Sequence, residues 1–212
     1  ITVTASVLKG YSITDKNKDV TNYINNTLKL PNDYSWKSGG SNEENVKATT
    51  SVLYAMVIAI VLITSTMIIQ FGSFRKALVV IMAIPLSISG VFLLFALTRT
   101  TLSFPASIGI LALMGIVVKN SILVVDKISA NIKTGMPYVE SIVDGASSRL
   151  EAIGLTSIAA ILGLVPITIS DPLWRGVGGA IISGLSFSGI IILIFIPTVY
   201  YFFFRGEDYA KL

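Results

Sequence analysis

Lys119, Asn120 and Ser121 stand in succession inside an apolar run that closes on Asp126. A cation near the middle of a membrane-spanning helix costs about 2.5–3.5 kcal/mol on insertion scales and usually lines an ion or substrate path. No carboxylate lies within one helical turn of Lys119, so a counter-ion has to come from another helix or another chain. The competing reading is a lysine whose ammonium snorkels along its stem to the interface. The charged end at Lys127 is eight residues on, about 12 Å along a helix, and a lysine side chain reaches roughly half that distance. Asp126 is seven residues from Lys119, nearly on the same face and two turns away. Either water links it to the lysine, or it marks the helix end beside Lys127.

Arg149 and Thr156 form a second pair, also seven residues apart on one face. Taken separately, the arginine is an interfacial anchor and the threonine bonds to its own backbone. Taken together, opposite a helix that carries Lys119, they can share a site with it. Proton handling would have to run on groups of this kind. The chain has no histidine and no cysteine, so nothing titrates near neutrality unaided, and neither disulfides nor thiolate metal sites are available. The sequence has no phosphate loop, nucleophile set or metal-ligand cluster. It reads as a non-enzyme without a cofactor. The five methionines (Met56, Met67, Met82, Met114, Met136) are scattered and read as gap-filling side chains rather than a copper path.

The elements that must position these residues are apolar helices. The chain is 53% hydrophobic and 13% charged, and the apolar residues concentrate after residue 50. Runs of about 20 apolar residues cross a hydrocarbon core. Five can be read: Thr50–Phe71, Ala77–Leu97, Ser103–Lys127, Leu150–Ser170 and Val177–Phe204. Barrel-type alternation is absent, which leaves helices as the structure that satisfies its own backbone in lipid. Pro85, Pro166 and Pro197 fall inside these runs and are expected to kink them. Small residues recur every fourth position, at Ser148, Ala152, Thr156 and Ala160 and again at Gly176, Ala180, Gly184 and Ser188. Such stripes allow close helix approach.

Residues 1–48 are of different character. Ile1 to Val7 alternates as a strand does, and 15–29 carries apolar residues at helical spacing. Pro31-Asn32-Asp33 is a turn, and Tyr34 to Lys37 reads as a second strand. This β-α-β piece is too small to bury a core alone, and the chain opens on Ile1 without a signal segment, so a longer protein is expected. Gly39-Gly40 breaks the chain, and Ser41 with Glu44 fits a capping box at the start of the first membrane helix. Residues 49–206 are then a five-helix membrane region and 207–212 a cytoplasmic tail. Arg75, Lys76, Lys127, Lys133, Arg149, Arg205 and Lys211 lie on one side, against Arg99 and Arg175 on the other. That bias puts the former set, and the C-terminus, in the cytoplasm. Residues 135–148 are expected to form a short cytoplasmic helix. The net charge of +4 is explained by these topogenic loops rather than by nucleic acid.

The run from Gly115 through Lys119-Asn120-Ser121 to Asp126 resembles the tenth transmembrane helix of resistance-nodulation-division (RND) exporters of the acriflavine-resistance, hydrophobe/amphiphile type. Arg149-Leu-Glu-Ala-Ile-Gly-Leu-Thr156-Ser157, followed by Ala160 to Pro166, resembles the eleventh. Gly176 to Gly184 and on through Pro197 resembles the twelfth, and the opening strand with Leu30-Pro31 to Gly40 is similar to the end of the last porter subdomain. The resemblance covers essentially the whole chain. It implies the C-terminal part of a proton-motive-force-driven efflux pump in the bacterial plasma (inner) membrane, using the proton gradient and no cofactor. It implies that Lys119, Arg149 and Thr156 interact with paired aspartates on a helix outside this chain, with Asn120 and Asp126 at neighbouring polar positions. It further implies a missing N-terminal portion, a homotrimer in the lipid bilayer, a periplasmic adaptor and an outer-membrane channel. Glu151-Ala152 departs from the Arg-Pro that relatives often carry there. Two other readings stand beside it: a non-transporting membrane subunit or remnant that binds a partner, and a relative that moves lipids or assists protein export.

Overall fold

Among the described residues the chain forms seven helices: α1 (Ile13–Asn26), α2 (Ser41–Phe71), α3 (Phe74–Ile81), α4 (Ala83–Thr98), α5 (Phe104–Lys133), α6 (Tyr138–Ser170) and α7 (Pro172–Phe204). The computed structural model describes residues 3–8, 13–28, 31, 35–36, 41–100 and 102–205. Two units divide the chain, Ile1–Ser51 and Val52–Leu212.

In the first unit α1 is the expected amphipathic helix, and the Trp36 indole donates to Asn25 Oδ1 at 3.2 Å. The two expected strands are not formed among the described residues: 3–8 and 35–36 carry no strand. A strand exists by pairing and by burying one face. Here Val3 is 87% and Leu8 78% exposed, so nothing rewards the alternation. Ile1, Thr2, Tyr34, Lys37, the Asn32-Asp33 turn, Gly39-Gly40 and 207–212 lie outside the described residues, as do the side chains of Ser41 to Glu43.

Five helical stretches are long and apolar enough to cross a membrane: Glu44–Phe71, Phe74–Thr98, Phe104–Lys133, Tyr138–Ser170 and Trp174–Phe204. This is a multi-pass membrane protein. The second stretch is broken at Met82, between α3 and α4. Pro85 explains the break, because its ring clashes with the carbonyl four residues back, at Ile81. Pro166 and Pro197 sit inside unbroken helices. Arg99 closes α4 in the left-handed conformation (φ 53°), with Thr100 N–H returned to Phe95 O at 2.9 Å, the usual way of satisfying final carbonyls. Gly135 (φ 85°) makes the turn from α5 into α6, a conformation glycine adopts without Cβ strain.

α6 differs from expectation. The cytoplasmic helix and the fourth membrane span are a single helix of 33 residues, about 50 Å long. No glycine in a left-handed conformation and no proline interrupts it between Tyr138 and Val165, so nothing stops it at Arg149.

α7 is the centre of the bundle, packed against α4, α5 and α6. Close approach comes from its glycines: a side chain at Gly184 would collide with Leu113, and one at Gly176 would meet Ser103 Oγ at 2.8 Å. At the end where α5 finishes and α6 begins, polar contacts clasp three helices. Tyr138 Oη donates to the carbonyls of Tyr200 and Tyr201, each at 3.2 Å. Asn131 Nδ2 donates to Asp144 Oδ2 at 2.7 Å and to Ser141 O at 3.3 Å, and Lys127 Nζ lies 3.8 Å from the same carboxylate oxygen.

Candidate relay site

Lys119 lies at the midpoint of α5, because the helix runs six residues beyond the charged end expected at Lys127. Lys119 is therefore farther from the C-terminal end of its helix than the sequence implied, and snorkelling becomes a weaker account. It is exposed on the surface of the bundle and lines a groove of about 380 Å³ between α2 and α5. The groove walls include Leu62, Ile63 and Met67 on α2 and Val118 and Ile122 on α5. Thr66 is the other polar residue there, and its hydroxyl donates to Leu62 O at 2.8 Å. Among the described residues Lys119 has no hydrogen bond or ion pair.

The neighbours of Lys119 turn away from it. Asn120 is 4% exposed and Ser121 fully buried, with Ser121 Oγ donating to Val117 O at 2.9 Å. Successive helical residues differ by about 100°, which puts Asn120 inside the bundle and Lys119 outside. Asp126 is exposed, seven residues along α5 on the Lys119 side, and takes no part in the Lys127–Asp144 pair.

On α6, Thr156 is exposed and its hydroxyl donates to Ala152 O and Ile153 O at 2.9 and 3.0 Å. Such bonds to the preceding turn are common for threonine in membrane helices. Arg149 is partly buried, and its Nε is enclosed without a hydrogen-bond partner among the described residues. Depth can be compared through Gly145, which packs directly on Ile128 where α5 and α6 meet. From there Lys119 is nine residues along α5, about 14 Å, and Thr156 eleven residues along α6, about 16 Å. Lys119 and Thr156 therefore share one depth, with Arg149 about two turns nearer the clasp. Lys119 lines the α2–α5 groove while Arg149 and Thr156 stand on α6, and no hydrogen bond joins any two of the three.

A family model described as AcrB/AcrD/AcrF family matches residues 1–204, nearly the whole chain. The chain belongs to the AcrB/AcrD/AcrF family of RND transporters. It is 29% identical over 178 residues to the swarming motility protein SwrC of Bacillus subtilis (strain 168), a match spanning 82% of this chain and 17% of that protein. Its fold is similar to a heavy metal efflux pump in two crystal forms, with TM-scores of 0.78 and 0.76 at 22% identity, covering 92% of this chain and 20% of that one. The chain thus spans about a sixth of the length of this relative.

Sequence reasoning missed two polar features of this family member. One is the clasp at Tyr138, Asn131 and Asp144, which a separate cytoplasmic helix would not have required. The other is a pair of buried serine hydroxyls, at Ser157 and Ser188. The sequence signal for the second is their place in the small-residue stripes: Ser188 is a member of one, and Ser157 directly follows Thr156 of the other.

Proposed function

We propose that this chain is the C-terminal membrane-embedded part of a proton-driven RND exporter, and that Lys119, Arg149 and Thr156 face paired carboxylates on a helix supplied by the rest of the protein. Lys119 carries the reading. It is a cation at mid-helix, bare and without an acceptor among the described residues, in a family of transporters. Leaving it so in lipid is unfavourable, and an opposed carboxylate removes the cost. The pairing is strong while the carboxylates are ionised and weakens as they take up protons. Proton binding can thereby bias a helix arrangement that has two states. Arg149 lends a second positive charge nearer the cytoplasmic end, and Thr156 a hydroxyl at the depth of Lys119. Asp126 is kept as an outer member on the same face. Asn120 is kept as a neighbouring polar position on the inner side of α5, where it is buried.

The same reading puts the C-terminus in the cytoplasm of a bacterial inner-membrane protein, residues 1–48 at the end of a periplasmic porter subdomain, and the assembly in a homotrimer with an adaptor and an outer-membrane channel. Of the relatives, the solved one is named as a heavy metal efflux pump and the curated one as a swarming motility protein. The decisive experiment is Lys119→Ala in the full-length transporter. Energised dye export should fall at least tenfold while membrane insertion is unchanged. Unchanged export by a normally inserted variant would refute the relay.

A further inference from the structure

The rotation of α6 about its own axis decides which of its residues meet the outside of the bundle. Successive residues of a helix stand about 100° apart, and on α6 Thr156 is exposed while Ser157, the next residue, is buried. Little along the later length of the rod fixes that turn. Four of the six buried residues of α6 (Tyr138, Ser141, Ile142 and Gly145) fall at its start, and beyond them the buried residues are Ile153 and Ser157. Apolar contact is non-directional, whereas a hydrogen bond has a preferred line.

Directional contacts gather where α5 ends and α6 begins. Tyr138 donates to backbone carbonyls of α7 and so fixes where the rod starts. Asn131, in the last turn of α5, acts differently. It is 5% exposed, and its Nδ2 donates both to Asp144 Oδ2, at 2.7 Å, and to Ser141 O, at 3.3 Å. Those two acceptors come from residues one turn apart on a single face of α6. Turning the helix carries both away from Asn131 together and leaves a buried amide unsatisfied, which is costly. Lys127 lies 3.8 Å from the same carboxylate oxygen, but that pair is open to solvent, at 34% and 44% side-chain exposure, and exposed pairs contribute little.

We infer that Asn131 is a positioning residue for the relay: its paired hydrogen bonds to α6 hold that helix at the turn that presents Thr156 outward and Ser157 towards α7. Arg149, seven residues before Thr156 and nearly on its face, is set by the same latch. Gly145, packed directly on Ile128, lets α6 come close enough to α5 for Asn131 to reach it. The inference rests on the relay reading for its purpose, but the helix rotation it describes is measured without transport.

Paired cysteines in the full-length transporter read that rotation, and this chain contributes no cysteine of its own. A Cβ at Gly189 would lie 3.9 Å from Ser157 Cβ, within the range of a disulfide. Ser157→Cys/Gly189→Cys should therefore oxidise readily, and Thr156→Cys/Gly189→Cys slowly. Adding Asn131→Leu should reduce this preference about tenfold, the shift that a buried hydrogen bond to a carboxylate supports, and the same substitution without the cysteines should lower dye export. Asp144→Leu should act likewise, and it serves where Asn131→Leu does not insert. Asp144→Asn keeps an acceptor oxygen for Asn131 while losing the charge, and should retain both preference and export. An unchanged preference in either leucine variant overturns the proposal, as does unchanged export with the preference lost. So does a loss in Asp144→Asn equal to that in Asp144→Leu, which would assign the rotation to the Lys127 ion pair. Lys119→Ala should lose export with the preference intact, so failure of the relay and failure of the latch give different results.

Discussion

Along α7, Gly176, Ala180, Gly184 and Ser188 repeat at four-residue spacing, and along α6 Ser148, Ala152, Thr156 and Ala160 do the same. The α7 stripe is filled by α5: Ala180, Gly184 and Ser188 are buried, and side chains added at Gly176 or Gly184 would strike Ser103 or Leu113. The α6 stripe is bare: Ser148, Ala152 and Thr156 are exposed, and Gly154 and Gly163 on the same helix have nothing within 4 Å of where a Cβ would stand. Small residues permit close approach but do not say whose approach. On α7 the partner is within the chain. On α6 the stripe includes Thr156 and is one residue from Arg149, and a helix seated there would bring its side chains to the relay candidates.

Three substitutions would break or sharpen this contrast. Gly184→Leu should act most strongly, because four added carbons enter a space that Leu113 already fills. Overpacking of this kind costs about 1–3 kcal/mol or more, and the yield of monodisperse transporter in detergent should collapse. Ala152→Leu divides the possibilities on the other side. If the α6 stripe receives a helix, export and melting temperature both drop, by somewhat less than for Gly184→Leu. If it faces lipid, the variant matches a Leu155→Ala control, and the two stripes differ only in being used and unused. Tyr138→Phe should be the mildest. It removes a hydroxyl that donates to two carbonyls on α7, for which about 1 kcal/mol is typical. A slightly lowered melting temperature with export retained would show that the clasp holds the helices without serving the relay.

Much of this architecture was legible in the sequence. The runs ending at Phe71, Ser170 and Phe204 end there in the structure, and that ending near Leu97 runs one residue further, because length and hydropathy decide a membrane span. Pro85 broke its helix as expected, while Pro166 and Pro197 did not, since neighbouring helices can hold a proline-bearing turn in register. Among the described residues the early strands are not formed, because alternation predicts a buried face only where a partner surface exists. The division of α6 at Arg149 failed for a related reason: a change from polar to apolar composition marks where a membrane begins, not where a helix stops. Angular spacing gave the shared faces of Lys119 with Asp126 and of Arg149 with Thr156. It could not say which face points inward. Lys119 and Asn120 are polar candidates one position apart, and packing put them on opposite sides of the helix surface, one exposed and one buried.

The unbroken course of α6 has a mechanical consequence. Its first turn is tied to α7 at Tyr138, and neither a left-handed glycine nor a proline intervenes before Pro166. A rod held at one end turns small displacements near its anchor into larger ones beyond. Thr156 is about 27 Å from Tyr138 and Ser170 about 48 Å. If protonation tilts α6, label-to-label distances from α7 should change more at Ile169 than at Ala159. A tilt arising at the depth of Thr156 would then reach the far side of the membrane about 1.8 times larger than it began.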